Sequence, residues 1–233
     1  MARLPRLVVP GQPHHVIQRG NNRQPVFLDD EDYIRFLAWL REAARTYKVS
    51  VHAYVLMPNH VHLLASPAEA TGLAQMMQWI GRQYVPYFNR KYNRVGTLWQ
   101  GRFKTSVIDS ENYFLICSRY IESNPVRAQL AASPQDYLWS SYAHHAGLRQ
   151  DQVVVDHALY WALGNTPFQR EAAYMALFQA PLSHAELLSI QTAVVKGWPL
   201  GSDAYKTQLQ HRAKRQVLPA RRGRPPKTSP STI

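Results

Sequence analysis

His60-Val61-His62 is where spacing in this 233-residue chain first points to chemistry. In a strand, alternation turns both imidazoles to one face, about 6–7 Å apart along the chain. Two histidines so placed can chelate one divalent ion. A second group stands at Tyr120 and Asn124. Four residues apart on a helix, they lie about 40° apart around its axis, so a phenol and an amide oxygen project together. Tyr113 lies seven residues before Tyr120, only about 20° off the same stripe, and helix geometry does not choose between the two tyrosines. A nucleophile, a charge-neutralising ion and an in-line pose are what phosphodiester cleavage needs. The plainer reading is a pair of half-buried histidines and core tyrosines with surface hydroxyls. His14, His15, His52, His144 and His145 show no ligand spacing and read as incidental.

These residues need elements to hold them. Val16 and Ile17 read as a short strand ending in the polar turn 18–23, with Val26-Phe27-Leu28 as a return. Asp29 and Asp30 can cap a helix over 31–47, with Tyr33, Ile34, Leu37, Leu40 and Ala44 as its apolar stripe. A buried strand over 49–57 ends at Pro58-Asn59, and 60–66 is its antiparallel partner. A helix over 72–93 is expected to kink or break near Pro86. A strand over 103–108 follows, then a helix over 110–124 capped by Ser110 and ended by Pro125. The order β, α, β, β, α, β, α predicts an α+β ferredoxin-like split βαβ sandwich with an extra helix. Three short helices, over 157–163, 169–179 and 183–196, suggest a small helical module. The domain expectation is therefore 1–145 as the site-bearing domain, 146–203 as a small helical region and 204–233 as a basic, disordered tail.

Composition narrows the class. With 27 Lys plus Arg against 15 Asp plus Glu, the formal charge is +12, and 45% of residues are apolar. That supports a real core and argues against disorder throughout. The longest apolar run, 172–178, is seven residues; a membrane span needs about 18 or more. With no secretory stretch at the N-terminus, the cytosol is the expected compartment. Cys117 is the only cysteine, which excludes an internal disulfide and a cysteine zinc cluster.

After Asp203 come eight Lys and Arg and no acid. A second acid-free window, 70–108, interleaves Arg82, Arg90, Lys91, Arg94, Arg102 and Lys104 with Tyr84, Tyr87, Phe88, Tyr92, Trp99 and Phe103. Cations for phosphates and rings for bases suit single-stranded nucleic acid; a solvated helix face over an aromatic core would look the same. Arg19, Arg102 and Lys104 are candidate phosphate contacts, and Trp99 is a core anchor or stacking platform. The tail sequence Arg221-Arg222-Gly223-Arg224-Pro225-Pro226-Lys227 resembles an AT-hook, whose arginines, here Arg222 and Arg224, enter the narrow minor groove of A·T-rich duplex DNA.

Four ordered segments complete the pattern: Met57-Pro58-Asn59-His60-Val61-His62-Leu63-Leu64, Leu98-Trp99-Gln100-Gly101-Arg102-Phe103-Lys104, Arg119-Tyr120-Ile121-Glu122-Ser123-Asn124-Pro125-Val126-Arg127 and Trp139-Ser140-Ser141-Tyr142. Over residues 7 to about 145 the chain resembles the REP-associated tyrosine transposases, relatives of insertion-sequence transposases in the HUH single-strand nuclease superfamily. The resemblance implies that His60 and His62 hold Mg²⁺ or Mn²⁺, with Asn124 as third ligand. It selects Tyr120 over Tyr113 as the nucleophile, because the family tyrosine directly precedes Ile-x-x-Asn-Pro-Val. It further implies a 5′-phosphotyrosyl intermediate, hairpin-forming palindromic single-stranded DNA as substrate, a monomer or homodimer, and association with the nucleoid. Two other readings compete: a DNA-binding regulatory or nucleoid protein that keeps the fold without catalysis, and an unrelated metal hydrolase pairing the histidines with Asp109 or Glu122.

Overall fold

The computed structural model describes residues 6–213, 216 and 217. Strands β1 (His14–Arg19), β2 (Val49–Met57), β3 (His60–Pro67) and β4 (Lys104–Val107) form one sheet in the order β2-β3-β1-β4, every neighbouring pair antiparallel. Helix α1 (Asp30–Thr46) links β1 to β2, and α2 (Gly72–Lys91) links β3 to β4. This is the split βαβ sandwich that the pattern predicts.

Alternation sorts the two faces. Val16, Val61, Leu63 and Ala65 pack with Phe36 and Leu40 of α1 and Met76, Ile80 and Tyr84 of α2. A bulge between Val51 and Ala53 shifts the parity of β2, so Val51, Tyr54 and Leu56 join that core while Ala53, Val55 and Met57 turn to the other face. There they meet Leu64 and two helices, α3 (Ser110–Glu122) and α8 (His184–Lys196), through Phe114, Cys117, Ile121, Ile190 and Ala193.

Several local expectations differ from the structure: residues 26–28 form no returning strand, and Asp109, not Ser110, stands at the N-cap of α3. Helix α2 runs unbroken through Pro86. The ring lies on the exposed side while Tyr84 and Phe88 are held in the core, so the lost backbone bond is one that water can replace. The helix expected over 110–124 stops at Glu122; Asn124 opens a separate turn, α4 (Asn124–Arg127). The segment expected as tail begins with α9 (Asp203–Arg212), started by Ser202 capping Tyr205 N and anchored by Leu209 against Val107 and Val217. The AT-hook-like residues lie outside the described residues.

The remaining helices, α5 (Tyr142–His145), α6 (Ala158–Trp161) and α7 (Pro167–Ala176), enclose Tyr142, Tyr160 and Tyr174 in a smaller core. The chain also borders both outer strands of the sheet. Alongside β2, Leu56 N donates to Trp139 O at 2.9 Å, Ser141 N to Tyr54 O at 3.0 Å and Val155 N to Val51 O at 2.8 Å. Beside β4, Leu200 N donates to Val107 O at 2.9 Å and Ser106 Oγ to Trp198 O at 2.6 Å. No helix of the described residues is long and apolar enough to cross a membrane.

Candidate active site

His60 and His62 share the α3-facing side of β3, their ring centroids 4.9 Å apart. The register of β1 against β3 sets Arg19 opposite His60 and Ile17 opposite His62, so His15, two residues earlier, shares that face. The His15 ring stacks on His62 at 5.1 Å, and His15 Nε2 and His62 Nδ1 share a 2.8 Å hydrogen bond. His60 is fixed from the other side: Asn59 Nδ2 donates to Arg23 O at 3.2 Å, which turns Asn59 Oδ1 to His60 Nδ1 at 2.5 Å. Since that oxygen only accepts, Nδ1 carries the proton and Nε2 keeps its lone pair. The Nε2 atoms of both His60 and His62 make no hydrogen bond among the described residues.

Burial holds these imidazoles neutral. It lowers His15 to about 3, and with the charge of Arg19 it lowers His60 to about 4. His62 lies well below the ordinary histidine value, first through burial, then through His15, His60, Arg19 and Arg127.

Helix α3 lays Tyr120 across this group. Its ring meets His15 edge-on at 5.6 Å and His62 at 5.8 Å, and the residue is 4% exposed. Tyr113 instead lines a pocket with Leu188, Trp198 and Leu200, so the fold separates two tyrosines that helical spacing left equivalent. Asn124 Nδ2 donates to Tyr120 O at 2.9 Å and to Ile121 O at 3.2 Å, closing the open carbonyl end of α3 directly behind the tyrosine. Its Oδ1 makes no hydrogen bond among the described residues. From α4, the Arg127 guanidinium rests 4.7 Å over the Tyr120 ring.

The donor set suits a divalent ion. Two neutral imidazole nitrogens, each oriented from behind by a hydrogen bond, and one amide oxygen are borderline to hard ligands of the kind that Mg²⁺ or Mn²⁺ accepts. Among the described residues no three His, Cys, Asp or Glu side chains are grouped to hold a metal. Glu122 and Asp109 serve elsewhere: Glu122 accepts from Ser141 Oγ, from His145 Nδ1 at 2.9 Å and from Tyr174 Oη at 2.7 Å, and Asp109 accepts from Asn112 Nδ2 and Ser202 N. A hydrolase built on the histidines with either carboxylate does not match this arrangement.

The expected phosphate contacts divide between the faces. Lys104 pairs with Ile17, which pairs with His62, so the three form a row across the active-site face, and Lys104 is exposed. Arg102 lies on the opposite side, in a pocket of about 450 Å³ with Gln18, Phe36, Met77, Ile80 and Trp99. Trp99 stacks on Tyr84 in the core. Arg222 and Arg224 are outside the described residues. Sequence reasoning missed His15 and Arg127. Strand parity from Arg19 back to His15 was the available signal for the first, and seven-residue spacing from Tyr120 for the second.

Residues 9–124 match the family model described as Transposase IS200 like. This stretch, which holds the sheet, the histidine pair and the tyrosine helix, belongs to the IS200-like transposase family. Among solved structures, that of a REP-associated tyrosine transposase bound to a REP hairpin is similar in fold, with a TM-score of 0.51 at 17% identity over 68% of this chain and 96% of that one. A transposase candidate from Deinococcus radiodurans R1 gives a TM-score of 0.36 at 22% identity, over 52% of this chain and 97% of that one. None of the curated proteins matches.

Proposed function

We propose that this protein is a metal-dependent single-stranded DNA endonuclease and strand transferase that cuts beside hairpin-forming palindromic repeats. The observation that carries the reading is Tyr120 packed edge-on against His15 and His62, with the Nε2 atoms of His60 and His62 uncommitted. The similar solved structure holds a REP hairpin, which supports the choice of substrate.

His60, His62 and Asn124 would hold a divalent ion, which would supply charge neutralisation at the scissile phosphate. Asn59 and His15 keep the two rings in the required orientation, and Asn124 holds the end of α3 so that the tyrosine stays in place. Tyr120 Oη attacks phosphorus. The Oη–P bond forms, the P–O3′ bond breaks, and the proton lost by the tyrosine is balanced by the one gained on the free 3′-hydroxyl. The chain is then joined to a 5′-phosphate, and attack by another 3′-hydroxyl reseals the strand without a nucleotide cofactor. Lys104 and Arg19 on the same face attract the phosphate backbone. Arg222 and Arg224 add contacts to A·T-rich duplex in the minor groove, which associates the protein with the nucleoid.

Labelled single-stranded hairpin DNA incubated with Mg²⁺ or Mn²⁺ tests this on denaturing gels. Wild type forms a covalent adduct, and Tyr120→Phe or added chelator abolishes it. Equal retardation of the DNA by both proteins with no cleavage would instead identify a binding protein on the same fold.

A further inference from the structure

Arg127 is an exposed arginine at a nearly closed site. Its guanidinium lies over the face of Tyr120, and among the described residues it makes no hydrogen bond and no ion pair. Its position is built rather than incidental. Arg127 N donates to Ser123 O at 3.0 Å and Ala128 N to Asn124 O at 2.9 Å, so the one-turn α4 continues the direction of α3 after the break. Tyr120, Asn124 and Arg127 thereby converge at nearly helical spacing.

The candidate carboxylates Glu122 and Asp109 are engaged elsewhere. Arg19 approaches from β1, opposite His60, and Arg127 from the tyrosine side. Guanidiniums on two sides of the site fit a monoanionic phosphodiester.

We propose that Arg127 is a catalytic residue that grips the non-bridging oxygens of the scissile phosphodiester at Tyr120, an inference that rests on the function proposed above. Attack by Tyr120 Oη adds negative charge to those oxygens as the P–O3′ bond breaks. A planar, permanently protonated fork binds them bidentately and stabilises the transition state more than the ground state. Arg127 transfers no proton, and the balance of the step is unchanged. The contact with the tyrosine ring is its resting position, from which it reaches a phosphate entering at the hydroxyl.

The test is single-turnover adduct formation at saturating hairpin DNA with the metal-loaded full chain, comparing wild type with Arg127→Ala, Arg127→Met and Arg127→Lys. Removal of the guanidinium is expected to slow the step by about 10²–10³-fold, the usual loss for one preorganised oxyanion donor. DNA affinity should change little, Arg127→Met should behave as Arg127→Ala does, and Arg127→Lys should recover part of the rate. Free guanidinium ions should raise the rate of Arg127→Ala and leave Tyr120→Phe inactive. Near-wild-type rates in Arg127→Ala overturn the inference. So does a loss confined to DNA affinity, or a slow Arg127→Ala that guanidinium does not rescue and Arg127→Met repairs by packing on the ring. If wild type itself forms no adduct, the proposed function fails and takes this inference with it.

Discussion

His15 Nε2 and His62 Nδ1 meet at 2.8 Å across 47 residues of sequence, joining β1 to the histidine pair on β3. If His62 presents Nε2 to a cation, its Nδ1 proton must go to His15, which makes His15 an orienting residue for the ligand. His15→Ala is expected to weaken Mn²⁺ binding by about 10–100-fold, the usual effect of losing such a partner. Titration calorimetry or the Mn²⁺ resonance signal reads this without any DNA. Unchanged affinity would leave His15 a packing residue.

Glu122 ties elements together outside the site. Its fully buried carboxylate accepts from Ser141, His145 and Tyr174, tying the end of the tyrosine helix to α5 and α7. Glu122→Ala strands the buried donors of His145 and Tyr174, while Ser141 Oγ keeps Tyr54 O as acceptor, and is expected to lower stability by about 3 kcal/mol. Glu122→Gln keeps one acceptor and should lose less. Chemical denaturation of the two variants gives the order directly.

Acid should unfold the protein early. Burial holds His14, His52 and His60 at about 4 and His15 at about 3, whereas in the unfolded chain each titrates near 6.5. Because the folded values are depressed, unfolding takes up protons below pH 6.5. Stability is complete above that value and falls toward pH 4, by up to about 1.4 kcal/mol per pH unit for each histidine. Urea midpoints measured in chelator at pH 8, 6.5 and 5 should fall slightly over the first interval and steeply over the second; a flat profile down to pH 5 contradicts the burial argument.

Lys104 and Arg102 lie two residues apart and on opposite sides of the sheet. If both touch DNA phosphates, each alanine variant reduces the salt slope of hairpin binding by about 1. Their effects should add in the double variant, since they share no partner. If only Lys104→Ala changes the slope, hairpin DNA approaches from the active-site face alone.

Local patterns carried the frame of the molecule. Period-two alternation put His60 and His62 on one face, and the Asp29 cap and apolar stripe marked α1, because those signals act within a few residues. Features set by distant partners were not legible. Parity with Arg19 could give the face of His15, but its contact with His62 depends on a register with β3 that only folding defines. Nothing in 110–127 announces that Asn124 turns its amide back to cap α3, and Glu122 sits inside a recognised motif while its partners lie 19 to 52 residues away. Pro86 misled because its ring points outward from a helix fixed by Tyr84 and Phe88.

The bordering of both outer strands has a consequence for assembly. Residues 139–155 run along β2 and residues 198–200 along β4, so little of the sheet is left as a free row of backbone donors and acceptors for another polypeptide. His15, His60, His62, Tyr120 and Arg127 meet within a single copy of the fold. Turnover per molecule should therefore stay constant on dilution, even at concentrations where any pair of copies has come apart.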